Sequence, residues 1–169
     1  TKPAVPVLVN GETVVQDSDT IVEYIKNTSE SNGFDDPVYG LTRTLQGISF
    51  SDAVSAVKET LGTEGFGVLT EIDVRATMKK KLDVEFSNYI ILGACNPKLA
   101  HQALTGEPAI GLLLPCNVVV TEDKEGNAIV SAIDPVKMFS VVKRPELETI
   151  AKDVGKRLRR VMAALPGDP

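Results

Sequence analysis

The order of apolar and polar positions along this chain changes period several times, and each change marks an expected element. From Tyr39 to Leu45 the two alternate, which is the period of a strand. Phe50, Val54, Val57 and Leu61 then recur at helical spacing, with Ser49 and Asp52 placed as a capping pair in front and Gly62 and Gly65 as the stop. Gly67–Ile72 returns to a strand pattern and leads to Asp73, an expected N-cap for a helix through Leu82. Tyr89–Ala94 reads as a buried strand, and Asn96-Pro97 sets a capping side chain ahead of proline for a helix to about Leu104. Ile110–Leu114 and Asn117–Thr121 are apolar runs of strand length broken by Pro115. A turn over Asp123–Asn127 then predicts a hairpin with Ala128–Ile133. Asp134-Pro135 repeats the cap-then-proline device for a short helix. Pro145 opens the longest helix, with Leu147, Ile150, Ala151, Val154, Leu158, Val161 and Leu165 as its apolar stripe. Its acids, Glu146 and Glu148, come early, and Lys156, Arg157, Arg159 and Arg160 come late, as the helix dipole favours.

Ahead of these elements Val5–Val9 is a short strand interrupted by Pro6. Asn10-Gly11 is a two-residue hairpin signal, and Thr13–Val15 is the return strand. Asp17 or Ser18 caps an expected helix to about Asn27, with Ile21, Tyr24 and Ile25 on one face. Thr28–Pro37 has linker composition, so a front segment (1–30), a linker (31–38) and a main domain (39–165) are expected. Two strands and one helix bury too little surface to form an independent domain. The expected fold class is α+β: a mainly antiparallel sheet backed by helices, preceded by a partial ββα segment.

Composition narrows the function classes. With 169 residues, 43% of them hydrophobic, a sizeable core can form. Residues 1–37 carry two lysines against seven acids, while the remainder balances sixteen bases against sixteen acids. Neither part has the basic excess that phosphate binding needs, so nucleic acid is excluded as an expected partner. No apolar run has membrane-spanning length, and two cysteines without a secretory leader fit a reducing, cytoplasmic compartment.

Both cysteines sit in Cys-Asn pairs at the edges of apolar runs, Cys95-Asn96 and Cys116-Asn117. Cys95 directly precedes a helix start, where backbone N–H groups favour thiolate, whereas a small buried apolar residue is the plainer reading of both thiols. If the two strands are neighbours, the sulfurs converge on a ligand or metal. A four-ligand zinc site from one chain lacks donors, since there is one histidine. That residue, His101, shares a helix face with Lys98, Gln102 and Thr105; it reads as solvent-exposed, or as a ligand near a dimer cleft. Glu71 reads as an edge-strand residue, Asp73 and Asp134 as caps, and Lys79-Lys80-Lys81 as a solvated helix end. Gly65-Phe66-Gly67 follows a helix rather than preceding one, so it reads as a helix stop and not a phosphate loop.

Two resemblances follow from these motifs. Glu64-Gly-Phe-Gly-Val-Leu-Thr-Glu-Ile-Asp73, Leu92-Gly-Ala-Cys-Asn-Pro97, Gly111-Leu-Leu-Leu-Pro-Cys-Asn-Val118 and Ala132-Ile-Asp-Pro135 resemble the domain-of-unknown-function family 302 over residues 39–165. That resemblance implies a compact α+β domain, dimeric, with no settled activity. Ala4-Val5-Pro6-Val7-Leu8, the Asn10-Gly11 hairpin and Gln16-Asp17-Ser18-Asp19-Thr20-Ile21 resemble the C-terminal half of a glutaredoxin or glutathione-transferase thioredoxin-like domain. By that resemblance Val5, Pro6, Asp17 and Ser18 would hold glutathione, with the nucleophilic cysteine half not in these residues. The leading expectation is a homodimeric small-ligand-binding module with its site at Cys95, Asn96, Cys116, Asn117 and His101. The alternatives are a glutathione-linked thiol-disulfide oxidoreductase and a purely structural interaction domain.

Overall fold

The computed structural model describes residues 8–10, 13–15 and 37–167, and the chain divides into two units, Thr1–Asp35 and Asp36–Pro169. In the first, strands β1 (Leu8–Asn10) and β2 (Thr13–Val15) pair antiparallel as the expected hairpin, with Asn10 closing the ladder opposite Thr13 rather than lying in the turn. The helix expected after Asp17 lies outside the described residues, as do Val5, Pro6, Asp17 and Ser18.

In the second unit, strands β3 (Gly40–Leu45), β4 (Gly67–Asp73), β5 (Tyr89–Cys95), β6 (Cys116–Glu122) and β7 (Ala128–Ile133) form one sheet in the order β3-β7-β6-β5-β4. Every neighbouring pair is antiparallel. This is the expected α+β architecture. Alternation along the strands sends Leu92, Ala94, Cys116, Val118, Val120, Val130 and Ala132 into one cluster with two helices. Helix α1 (Phe50–Thr63) contributes Ala53, Val54, Val57 and Leu61 to it. Of the helices that follow, α2 is Val74–Leu82, α3 Pro97–Gly106, α4 Pro135–Phe139 and α5 Pro145–Ala164, the last contributing Val154, Leu158, Val161 and Met162. Each fully buried Leu or Val adds about 1.5–3 kcal/mol of apolar burial. A smaller cluster of Ala103, Ile110, Phe139, Leu147 and Ala151 lies where α3, α4 and α5 meet.

The helix starts follow from single side chains. Ser49 Oγ accepts from Asp52 N at 3.2 Å, Asp73 Oδ1 from Ala76 N at 2.8 Å, Asn96 Oδ1 from Leu99 N at 3.2 Å and Asp134 Oδ1 from Val136 N at 2.9 Å. Each satisfies a backbone donor that the first turn leaves without an intrahelical partner.

The structure corrects one expected element. Ile110–Leu114 is not a strand: Pro108–Leu113 winds into a 3₁₀ helix, with Glu107 accepting from Ala109 N at its start. Pro108 at the first position and Gly111 favour a turn over an extended ladder, and the three-residue period buries Ile110 while leaving Leu112 89% exposed. Apolar content alone had pointed to a strand there.

The far end of α5 is held from the sheet. No basic residue lies in its last turn. Instead Arg43 of β3 donates to the carbonyls of Met162 (2.9 Å), Ala163 (3.2 Å), Leu165 (2.9 Å) and Gly167. One guanidinium thus serves the carbonyls that the helix end leaves open and places positive charge at the negative pole. Replacing it by an unbranched apolar side chain, Arg43→Met, is expected to cost about 2 kcal/mol, the range of charge-assisted hydrogen bonds. Urea denaturation of the two proteins measures the difference; an unchanged midpoint would show that α5 holds without this contact.

Candidate functional site

The two Cys-Asn pairs are brought together by one strand pairing. β5 and β6 run antiparallel with Ala94 opposite Cys116 and Gly93 opposite Asn117, so Cys95 lies one residue beyond the last pair. Close passage at this point depends on Gly93. A Cβ there would meet Thr70 Oγ1 at about 2.2 Å and Pro115 Cγ at 2.7 Å, so a side chain would force the two apart.

Cys95 closes β5, and the chain turns directly into α3 through the Asn96 cap. Beneath that turn lies a narrow crevice. Its walls come from Phe66, Leu99 and Phe139, from Ile150 and Val154 of α5, and both Cys95 and Cys116 open onto it with Asn96. Its cavity volume is about 20 Å³. That is the space of one water-sized body and far below the several hundred Å³ of a cofactor pocket.

Burial decides the state of both thiols. Cys116 is buried, and desolvation, with the neighbouring Cys95 adding to it, pushes its pKa up to about 11. Desolvation also raises Cys95 above the usual thiol value. The expectation that the start of α3 would favour a Cys95 thiolate is therefore corrected. Asn96 already occupies the Leu99 N–H, and removal from water outweighs the helix end. Both sulfurs are neutral thiols near pH 7.

The other expected site residues separate from these three. Asn117 is exposed, and its neighbours Cys116 and Val118 are buried on the helix-backed face, so alternation puts it on the opposite side of the sheet. His101 is exposed on α3, where its carbonyl accepts from Thr105 Oγ1 at 2.8 Å, and it does not line the crevice. The apolar walls Phe66, Phe139, Ile150 and Val154 were absent from the sequence-based site. Their helical spacing marks them as core, and nothing in that spacing says which core residues border a gap.

The remaining charged candidates are committed to one another. Lys79 bonds Asp83 and Glu85, both at 2.8 Å, which raises its pKa and removes it from an anion site in the lysine run. Asp73 and Asp134 are caps, and Asp134 also receives Arg159 at 3.3 Å. Glu71 lies on edge strand β4 and pairs with Lys58 of α1 at 2.5 Å. A wider cleft of about 170 Å³ beside Lys143, Arg144 and Lys152 has Arg144 tied to Glu107 (3.0 Å) and Lys152 to Glu148 (3.8 Å). Among the described residues no three His, Cys, Asp or Glu side chains converge on a metal position, and no helix is long and apolar enough to cross a membrane.

An antiparallel five-stranded sheet with helices on one face and two neutral thiols at a strand end defines the class of domain. A family model for the domain of unknown function DUF302 matches residues 41–165, and the chain belongs to that family. Among solved structures it is similar to the uncharacterized conserved protein DUF302 from Bacillus stearothermophilus. The identity is 27% and the TM-score 0.69, covering 75% of this chain and 98% of that one. No curated protein matches the chain. The family match begins after the front segment, and the described residues and comparisons give the glutaredoxin-like resemblance there no support.

The raised thiols link stability to pH. Cys116 has its folded pKa above the ordinary 9.0, so its contribution is fully present below pH 9 and is lost as pH rises toward 11. Between pH 8 and 11 the protein is expected to lose of order 2 kcal/mol that Cys116→Ala does not lose. Paired urea titrations at the two pH values check this, and equal losses in both proteins would count against a buried, protonated Cys116.

Proposed function

We propose that this domain is a non-catalytic binding module whose site is the crevice beneath α3, with Cys95 and Asn96 at its mouth and Cys116 in its wall, and that it works as a homodimer. The observation that carries the reading is that two cysteines, 21 positions apart in the chain, border a single gap bounded by α3, α4 and α5. Three features favour binding over catalysis. Both thiols are protonated, no charged or histidine side chain is among the lining residues to act as a base, and the space suits a very small guest.

The thiol-disulfide oxidoreductase alternative would need a thiolate nucleophile, and burial works against one at both cysteines. Glutathione, which the front-segment resemblance implies, is larger than a crevice of this size can enclose.

Support for self-association comes from the β4 edge. This strand ends the sheet, so one side of its backbone is unpaired among the described residues. Leu69 and Ile72 beside it are 67% and 47% exposed, and Phe86 and Val84 extend the apolar area. A second copy laid against the same edge would cover both features by two-fold symmetry.

Two measurements test the proposal. Methyl methanethiosulfonate, a small thiol probe, is expected to label Cys95 in the folded protein while a bulky maleimide labels it markedly more slowly. If neither cysteine reacts until the protein unfolds, the crevice is sealed and the thiols are core residues of a structural domain. Light scattering is expected to give twice the chain mass, falling to one chain in Ile72→Lys; a monomeric wild type would remove the dimer.

A further inference from the structure

A second opening, independent of the crevice, runs beside the 3₁₀ helix. It is a groove of about 360 Å³, within the size range of small-molecule sites. Its walls are Ile110, Leu112, Leu113, Val141 and Val142, with Glu107 as the one charged residue along them. Leu112 and Val141 are 89% and 69% exposed, so two large apolar side chains on these walls stand in water. We propose that the groove takes the hydrocarbon chain of a free straight-chain carboxylate, an alkanoate of medium length, with its carboxylate at Lys143.

The walls select a chain without polar groups. Their backbone donors are spent on neighbouring turns: Ala109 N on Glu107 Oε1, Ile110 N on the Glu107 carbonyl and Val142 N on the Phe139 carbonyl. The Glu107 carboxylate is bound in turn by Arg144 at 3.0 Å. An extended peptide would bring an N–H and a C=O per residue against these apolar side chains, and each left unpaired costs free energy. A hydrocarbon chain brings none.

Charge places the head. The groove borders the cleft of about 170 Å³ along two links: Val142 of the groove is followed by Lys143 of the cleft, and Glu107 of the groove is bonded to Arg144 of the cleft. Among the residues bordering that cleft three cations, Lys143, Arg144 and Lys152, face one acid, Glu148. Arg144 is matched by Glu107 and Glu146, and Lys152 by Glu148. Lys143 has no carboxylate partner among the described residues. It also holds a left-handed backbone, φ +52°, which costs a non-glycine residue energy, at the joint where the chain leaves the groove for the cleft. A ligand with an apolar tail and one negative end complements both openings at once.

Calorimetric titration of the full chain at pH 8 with octanoate, decanoate and dodecanoate, each below its micelle-forming concentration, tests this. One alkanoate per chain is expected, with affinity rising about three- to fourfold for each added methylene, the transfer value of a CH₂. Decyltrimethylammonium, the same tail with the opposite head charge, should bind more weakly than decanoate. Lys143→Gln should weaken decanoate by about fivefold, the upper end for an exposed ion pair, and leave decanol unchanged. Leu112→Gln should weaken both by roughly tenfold or more. Both positions are exposed, so neither substitution disturbs the core. Affinity that ignores tail length, equal binding of the cationic tail, several alkanoates per chain, or either variant binding decanoate as the wild type does would overturn the proposal. So would two other occupants. Capture by phosphatidylglycerol vesicles without uptake of monomeric decanoate would make the groove a membrane contact. Loss of the dimer in Leu112→Gln would make it an interface between copies.

Discussion

The pairing of β5 with β6 is the constraint on which the rest depends. Its register puts Ala94 opposite Cys116, and because side chains alternate, a one-residue slip would carry Cys116 to the far face and bring Asn117 into the core. Hydrophobic alternation forbids that slip, since Val118 and Val120 follow Cys116 into the same cluster. Gly93 removes the steric obstacle at the same level, where Thr70 and Pro115 close in from either side. That both cysteines border one crevice is thus a by-product of burying valines.

Where local chemistry dictates structure, the sequence was legible. Ser49, Asp73, Asn96 and Asp134 act as caps because their short polar side chains reach the N–H groups of the turn that follows, an interaction contained within four residues. The apolar stripes of α1 and α5 pointed to the core for the same reason. Legibility ended where the decisive contact was long-range. Arg43 bonding carbonyls more than a hundred residues away has no sequence signature, and neither does the choice of Phe66 and Phe139 as crevice walls. The 3₁₀ helix differs from the expected strand because so short an apolar run leaves period ambiguous, and the deciding residues, Pro108 and Gly111, act through backbone geometry rather than hydrophobicity.

The surroundings of the candidate residues were legible only in part. Cys95, Asn96 and Cys116 share a surface, whereas His101 and Asn117 were joined to them by proximity in sequence and are separated from them by the faces of α3 and of the sheet. The electrostatic expectation at Cys95 failed on magnitude. A helix start contributes a fraction of a charge, already partly spent on Asn96, and the cost of ionising sulfur away from water is larger. Burial is also a property of the assembled fold, which a cysteine in a six-residue motif does not display.

These two outcomes fit one physical logic. Sulfur reacts as thiolate, so a fold that keeps both thiols neutral lowers their rate toward oxidants and alkylating agents together. A redox enzyme needs the reverse arrangement, with charge present before the partner arrives and a base or positive field to sustain it. The apolar lining of the crevice and the pairing of nearby Arg144 and Lys152 with acids of their own both act in the first direction. Chemistry at this strand end is therefore set by exclusion of water and charge, and the same aliphatic and aromatic side chains that stabilise the sheet against α5 keep the two thiols protonated.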